Sequence, residues 1–345
     1  MVSQHTRPAF RIREIAQQSG LSEATVDRAL HRRPGVREST IAEVERAIGE
    51  LERQRDQLAI VGRTFMVDLV MQAPERFSSA VRAALESELP MLRPARIRSR
   101  FHLREESSAR EVVAVLDRLQ GSHGVILKAP DEPEVAEAIG RLVDAGVPVV
   151  TIATDVPLSR RVAYVGIDNR AAGATAAYLV ARWAGTTGTA LVTLSTSTFR
   201  GEEEREMGFR ATLRSLAPDR EVRVVTDTEG DDATMRAAAL EAVTADPSVD
   251  AVYSVGGGNT GTLDAFSAVG RSPAVFVAHD LDGDNTALLR SGRLDAVLHH
   301  DLRDDMRRAC RVILQAQGAV PGPITSLPSQ IQVVTPYNEP SGFRI

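Results

Sequence analysis

The chain has 345 residues, of which 43% are hydrophobic and 25% charged, a composition typical of globular proteins and a length that suits two or three folded units. Its single cysteine, Cys310, excludes an intramolecular disulfide framework and favours a reducing compartment. The sequence contains no apolar run of about eighteen residues and no signal-like segment after MVSQHTRPAF, so we expect a cytoplasmic protein that makes no use of a membrane.

The net charge of −5 is unevenly distributed along the chain. Residues 1–38 contain seven arginines and four acidic residues, so this segment carries +3 and the remainder carries −8. A basic end on an acidic body is typical of a protein that contacts nucleic acid through one end only.

Residues 12–30, IREIAQQSGLSEATVDRAL, are predicted to form two short helices joined by a tight turn. Apolar residues recur at i, i+3 and i+4 in both halves, and Gly20 suits a turn that needs a positive φ. Ser22 is the predicted N-cap of the second helix, because its hydroxyl can accept a hydrogen bond from an orphan backbone N–H. This pattern is typical of a helix-turn-helix, whose second helix lies in the DNA major groove. The alternative is an ordinary helical hairpin at the start of an enzyme.

Three stretches carry a resemblance to a known family: RIREIA at 11–16, GLSEATVDRAL at 20–30 and GVREST at 35–40. They resemble the DNA-binding headpiece of the lactose-repressor (LacI/GalR) family of bacterial transcription regulators, and the rest of the chain fits that family's sugar-binding core. We assign DNA contacts to the start of the first helix and to the cap and outward side of the second: Arg11, Arg13, Ser22, Glu23, Ala24, Thr25, Arg28 and His31.

A third helix and a linker follow. Thr40 and Glu43 form a predicted capping box, and an apolar stripe from Ile41 to Leu51 predicts a helix that closes a three-helix headpiece over residues 1–51. Relatives usually carry a Tyr-x-Pro-Asn entry and a hinge helix whose leucine wedges into the minor groove. The linker at 52–63 departs from this pattern, because it lacks proline and has Gly62 near the wedge position, although Leu58 or Ile60 could substitute.

From Phe65 onward, short apolar strands alternate with amphipathic helices in two successive sets, which predicts an α/β fold with two lobes built on parallel sheets. The predicted fold resembles the core of periplasmic binding proteins. We expect residues 64–163 and 296–325 in the first lobe and residues 164–295 and 326–345 in the second. Trp183 and Phe266, which have aliphatic neighbours at helical spacing, are expected in the core.

Ligands of α/β sheets bind at the carboxyl ends of strands, so the residues that follow each strand are the candidates for a binding site. An aromatic ring can stack on the C–H face of a sugar, and charged or amide side chains can hydrogen-bond its hydroxyl groups. The predicted effector-binding residues are Phe77, Asp155, Phe199, Arg205, Asn259, Asp280 and His300. The same positions resemble the sugar contacts of LacI-type cores.

Two other site types compete with this interpretation. Residues 256–261, GGGNTG, satisfy the G-x-G-x-x-G pattern of dinucleotide-binding enzymes, with Asp280 about twenty residues further on. His279, His299 and His300 offer metal-ligand chemistry, but neighbouring strand residues point to opposite faces. No arrangement typical of a catalytic nucleophile accompanies either pattern, so we expect no enzyme activity, no cofactor and no metal.

The sequence therefore predicts a transcriptional regulator, acting as a repressor, whose DNA affinity is switched by a sugar or polyol bound between two lobes. Because one recognition helix reads few base pairs, we expect a homodimer on a near-palindromic operator. The alternatives are a cytosolic sugar-binding module without DNA function and a nicotinamide-dependent enzyme.

Overall fold

The computed structural model describes residues 10–60, 63–93, 95–195, 198–226, 228 and 230–340, and at Arg53 and residues 56–60 it describes the backbone. The helices are α1 (Ile12–Ser19), α2 (Glu23–Leu30), α3 (Glu38–Ile60), α4 (Glu75–Glu88), α5 (Ala109–Leu116), α6 (Pro133–Asp144), α7 (Asn169–Trp183), α8 (Arg200–Leu216), α9 (Asp232–Ala245), α10 (Asn259–Ala268), α11 (Gly283–Arg290) and α12 (Leu302–Ala316). The strands are β1 (Thr64–Gln72), β2 (Arg96–Arg104), β3 (Gly124–Lys128), β4 (Val149–Ile152), β5 (Ala163–Val165), β6 (Gly188–Thr193), β7 (Arg220–Val225), β8 (Val249–Ser254), β9 (Val275–His279), β10 (Ala296–His299) and β11 (Gln332–Val334).

The three N-terminal helices pack around a small apolar core. The buried side chains of this core are Ile15, Ala16, Val26, Ala29, Val44 and Ala47. Gly20 takes a φ of +70° between α1 and α2, and the Ser22 hydroxyl accepts a hydrogen bond from the Thr25 N–H at 3.2 Å. The two short helices, their turn and their cap thus lie where the sequence predicts them.

Helix α3 begins earlier than the predicted Thr40 cap. It starts at Glu38, and the Thr40 N–H donates to the Arg37 carbonyl at 2.9 Å, so Thr40 already lies in the first turn. Glu43 pairs with Arg46 at 2.6 Å in place of the predicted capping box.

The same helix also continues through most of the segment predicted as a linker. Residues 52–60 are helical, because the stretch ERQRDQLAI contains good helix formers and neither glycine nor proline. The predicted wedge position, Gly62, lies outside the described residues.

The first sheet consists of five parallel strands in the order β2-β1-β3-β4-β5. Helices α4 and α12 cover one face, and α5 and α6 cover the other. Side chains on the inner strands point into helices on both faces, so β1, β3 and β4 read as continuous apolar runs. These elements form the first lobe.

The second sheet has six strands in the order β11-β10-β9-β8-β6-β7, parallel except for the β10–β11 pair. Helices α7 and α8 cover one face, and α9, α10 and α11 cover the other. These elements form the second lobe. Phe266 is fully buried as predicted, whereas Trp183 was predicted wrongly, because it ends α7 and its side chain is 48% exposed.

The expected lobe boundaries need two corrections. Strand β10 was assigned to the first lobe, but it pairs with β9 in the second sheet. Strand β5 extends to Val165 and pairs with β4, so this segment of the first lobe continues beyond the predicted boundary at residue 163. The chain therefore crosses between lobes after β5, after β10 and after α12. The periodicity of a strand reports its burial but not the sheet it joins, which explains both errors.

Candidate functional site

Strand ends from both sheets meet at a cleft of about 660 Å³, measured with its solvent-open space. The first lobe lines it with Ala73, Pro74, Arg76, Phe77, Lys128, Ala153 and Thr154. The second lobe lines it with Ser195, Phe199, Gly201, Glu202, Arg205, Val255, Gly256, Gly257, His279, Asp280, Asp282 and Asn285. The position at the carboxyl ends of parallel strands is the one that the topology favours for a ligand.

Arg205 is held rigidly in the second-lobe wall. Its side chain is buried on α8, its Nε donates to Asn169 Oδ1 at 2.8 Å, and its Nη1 donates to the Val255 carbonyl at 3.3 Å. Nη1 also lies 3.9 Å from Asp280 Oδ2. A guanidinium fixed in this way presents its remaining N–H groups to the cleft in a fixed direction.

The backbone of Asp280 adopts a strained conformation at the end of β9. Its φ is +61°, a region that non-glycine residues seldom occupy, and the Asn285 amide secures the turn by donating to the Asp280 carbonyl at 2.7 Å. Burial raises the pKa of the Asp280 carboxyl, but His300 and Arg205 outweigh burial and hold that pKa well below its usual range. The cleft therefore contains an ionised acceptor, and the side chain is 21% exposed.

Glu202 and the segment after β6 form a second fixed acceptor. Glu202 accepts hydrogen bonds from the Ser195 N–H at 2.7 Å and from the Ser195 hydroxyl at 2.5 Å. The glycine run after β8 lies against this pair, since a Cβ on Gly256 would lie 2.1 Å from the Ser195 nitrogen. A side chain there is excluded by the packing of the cleft floor, which accounts for this glycine.

The first-lobe wall contributes an aromatic ring and two cations. Phe77 is half-buried at the start of α4. The Lys128 ammonium donates to the Gln72 carbonyl at 2.8 Å and lies 3.5 Å from the centre of the Phe199 ring. Arg76 reaches across the cleft, with its Nε 3.1 Å from Asp282 Oδ2. Contacts between the lobes thus close one side of the cleft.

Four of the seven predicted effector residues line the cleft: Phe77, Phe199, Arg205 and Asp280. Phe199 is only 4% exposed and Lys128 covers one face of its ring, so it forms a wall instead of a stacking platform.

The other three predicted residues do not line the cleft. Asp155 forms an ion pair with Arg161 and accepts from the Thr151 hydroxyl at 2.6 Å, which directs its carboxylate into its own loop. The Asn259 amide donates to Asn285 Oδ1 at 2.6 Å behind the cleft surface. His300 lies behind Asp280.

The cleft also contains five residues that are not in the predicted effector-binding set: Arg76, Lys128, Glu202, Asp282 and Asn285. One signal was present, because Lys128 is the only lysine in the chain and it ends a buried strand. Arg76 and Asp282 follow strands β1 and β9, but no local pattern indicates that they pair, since their contact depends on the two lobes meeting.

The competing site types have structural explanations. A Cβ on Gly257 would lie 1.8 Å from Arg76 Nη2, and Gly258 precedes α10 with a φ of +71°, so the glycine run fits close packing and a helix start. Among the described residues, no group of three or more His, Cys, Asp or Glu side chains is arranged to hold a metal ion.

The predicted DNA-contacting residues share the outer surface of the N-terminal helices. Glu23, Ala24, Arg28 and His31 are exposed along α2, and Arg11 and Arg13 are exposed at the start of α1. Ser22 and Thr25 are joined by a 2.8 Å hydrogen bond between their hydroxyls at the start of α2. Arg28 also donates to the Pro34 carbonyl at 3.1 Å, which fixes the loop after α2.

Two α/β lobes joined by three crossings, with a polar cleft at their strand ends, define a two-lobed ligand-binding fold. The model of the periplasmic binding protein domain family matches residues 72–319, and the chain belongs to this family. No helix among the described residues is long and apolar enough to span a membrane. No curated protein matches the chain.

Solved structures share this fold at low sequence identity. GanP, a glucose-galactose binding protein from Geobacillus stearothermophilus, aligns with a TM-score of 0.72 and 19% identity over 81% of this chain and 99% of its own. AraP, an arabinose binding protein from the same organism, gives a TM-score of 0.65 and 20% identity over 80% and 97%. A sugar-binding protein of a sugar ABC transporter from Bacillus halodurans gives a TM-score of 0.68 and 23% identity over 80% and 98%.

Proposed function

We propose that the cleft binds an uncharged sugar or polyol. The observation that carries this proposal is the fixed pair of Arg205 and Asp280, a donor and an ionised acceptor 3.9 Å apart, presented to a cleft with the half-buried Phe77 on its other wall. Such groups suit the paired hydroxyls and the apolar ring face of a sugar.

The charge balance of the cleft supports a neutral ligand. Three cations, Arg76, Lys128 and Arg205, face three carboxylates, Glu202, Asp280 and Asp282. A ligand with a net charge would leave part of this set uncompensated away from water. Two of the solved structures that share the fold are a glucose-galactose binding protein and an arabinose binding protein, which agrees with this ligand class.

The test is calorimetric titration of the full chain with a panel of hexoses, pentoses and polyols. We expect one sugar class to bind, and Arg205→Gln to weaken its binding about 100-fold, because the substitution removes the buried guanidinium charge that faces Asp280 and the ligand. Arg210→Gln is the matched control on the same helix, since Arg210 pairs with Glu206 outside the cleft. This variant should bind the sugar with the affinity of the unmodified protein. Equal affinity of the two variants would refute the site.

We further propose that the N-terminal three-helix unit binds DNA and that the protein is a sugar-responsive repressor. The support is the exposed outer face of α2 with its fixed cap, and the exposed Arg11 and Arg13 at the start of α1, in a segment that carries +3. We propose a cytoplasmic homodimer that places two α2 helices about one DNA turn apart on a near-palindromic operator. The sugar would switch operator affinity through its different affinities for the open and closed lobes.

The DNA-binding proposal is tested with the DNA that flanks the protein's own gene, followed by selection from a genomic library. We expect specific binding that weakens as salt rises, because phosphate contacts release counterions. Glu23 can accept from the amino group of cytosine, so Glu23→Gln should relax a preference for cytosine at one half-site position. An unchanged base profile across a randomised half-site would contradict this role of Glu23.

The alternative is a sugar-binding module without DNA function. It is favoured by the family match, which covers residues 72–319 and leaves out the three N-terminal helices. Sugar binding without any specific DNA binding would establish it. Neither version includes catalysis or a cofactor, and binding of NAD in the same titration would overturn that part.

A further inference from the structure

His300 lies behind the cleft, between two carboxylates from different lobes. Its Nε2 is 3.5 Å from Asp280 Oδ1, at the end of β9 in the second sheet. Its Nδ1 is hydrogen-bonded to Asp305 on α12, and α12 packs on the first sheet. Because His300 is only 2% exposed, both contacts are shielded from water.

The polar chain continues from Asp305 into the crossings between the lobes. Asp305 accepts a hydrogen bond from the Ser329 hydroxyl in the crossing after α12. The Ser329 N–H donates to the Gly166 carbonyl at 2.8 Å, in the crossing after β5. His300 itself lies in the crossing after β10. One chain of contacts thus joins the cleft carboxylate to all three crossings.

We propose that His300 is a positioning residue that couples the Asp280 carboxylate to the hinge between the lobes. This inference rests on the proposed binding of a sugar in the cleft. Asp280 Oδ1 is buried with no hydrogen bond, and the cation nearest to it is on His300. Any rotation between the lobes displaces α12 relative to β9, so the imidazole between Asp305 and Asp280 transmits hinge motion to the ligand-binding carboxylate.

The surroundings of His300 keep its ring charged. The titratable or charged groups around His300 and its two carboxylate partners are His279 and Asp280 from the end of β9, His299 and Asp301 from its own segment, Arg205 from α8, and Asp305 and Arg308 from α12. Burial lowers the pKa of His300, but its contacts with the two carboxylates outweigh burial and raise that pKa to about 9. Burial and the charge of His300 lower the pKa of His299 to about 4. At neutral pH the charge therefore resides on His300.

The experiment measures the affinity of the full chain for the sugar found in the panel as a function of pH. We expect the affinity of the unmodified protein to fall as pH rises through about 9, because Asp280 loses its charged partner. His300→Gln should bind about tenfold more weakly at neutral pH and lose that pH dependence. Asp305→Asn, outside the cleft, should also weaken binding, and the double variant should be no weaker than His300→Gln.

His102→Gln is the matched control, because His102 also contacts a buried carboxylate, Asp68, at 2.9 Å, but at the far edge of the first sheet. It should keep the affinity and the pH profile of the unmodified protein. If His300→Gln keeps both as well, the inference is overturned while the sugar-binding proposal stands.

If the unmodified protein binds no sugar, the proposed function fails, and unfolding of the ligand-free protein decides the inference. Because the pKa of His300 is raised from its usual 6.5 to about 9, its charged ring stabilises the fold fully below about pH 6.5. This stabilisation is lost as the pH rises through about 9. We expect this loss in the unmodified protein and not in His300→Gln. Identical pH profiles of unfolding would overturn the inference.

Discussion

The two walls of the cleft are built differently. In the second lobe, Arg205 and Glu202 are held by two hydrogen bonds each before any ligand is present. In the first lobe, Phe77 is half-buried and Arg76 reaches across to Asp282 of the opposite lobe. The second wall is preorganised, whereas the Arg76 contact of the first wall depends on closure.

This difference separates affinity from closure. Fixed donors and acceptors lose little entropy on binding, so the second wall should account for most of the affinity. Contacts that form only between the lobes should set the lifetime of the closed state. Substitutions in the two walls therefore test the comparison directly.

The largest effect is expected at Gly173, where helix α7 meets α8. A Cβ there would lie 1.9 Å from the Arg205 carbonyl, so Gly173→Ala must push apart the helix that carries Arg205. We expect a loss of about 3 kcal/mol in the free energy of unfolding, together with loss of sugar binding. Chemical denaturation and calorimetry measure the two effects.

Gly140→Ala is the control for that substitution, because Gly140 also lies inside a helix and the nearest atom to its added Cβ is 4.0 Å away. Alanine there should be neutral or slightly stabilising. Equal stability of the two variants would mean that α7 and α8 have room to separate, and the second wall would then not be rigid.

The next effect is expected at Asp280. Asp280→Asn keeps the shape of the side chain but leaves the charges of Arg205 and His300 without their shared partner, so we expect about a 100-fold loss of sugar affinity. Asp284→Asn is the control, since Asp284 is exposed on α11. A loss below about threefold in Asp280→Asn would contradict a preorganised second wall.

Sequence patterns predicted the two-lobed α/β fold and predicted that Arg205 and Asp280 line the cleft. Both predictions were possible because parallel strands end at one edge and strand-end residues can be read from the periodicity. They failed where a neighbour takes up the side chain. Asp155 follows β4 as predicted, but Arg161, further along the same loop, pairs with it. Loop conformation decides this pairing, and the period of the flanking strands does not encode it.

Pairings between distant segments were also out of reach. Arg76 and Asp282 come from opposite lobes, and neither lies in a sequence motif that predicts the other as its partner. The assignment of β10 failed for the same reason, since its continuous buried run suits either sheet. Local patterns predict elements and their ends, whereas partners across lobes follow only from the assembled fold.

The smallest effect is expected from the first wall, at Arg76. Burial raises the pKa of the Asp282 carboxyl, and the Arg76 charge opposes this rise. Removing Arg76 leaves that carboxylate without its partner in the opposite lobe, so the closed state should open faster. We expect Arg76→Ala to weaken sugar binding about fivefold, through a faster dissociation rate, because a partly exposed ion pair contributes about 1 kcal/mol.

Stopped-flow measurement of the association and dissociation rates checks this prediction. Arg82→Ala is the matched control, since Arg82 lies on the same helix α4 and pairs with Glu86 away from the cleft. Asp282→Asn keeps an oxygen that can cap α11 and should reproduce the Arg76→Ala rates, and the double variant should add little to either. If Arg76→Ala slows association and leaves dissociation unchanged, Arg76 guides the ligand into the cleft instead of holding the lobes together, and the first wall then contributes to capture.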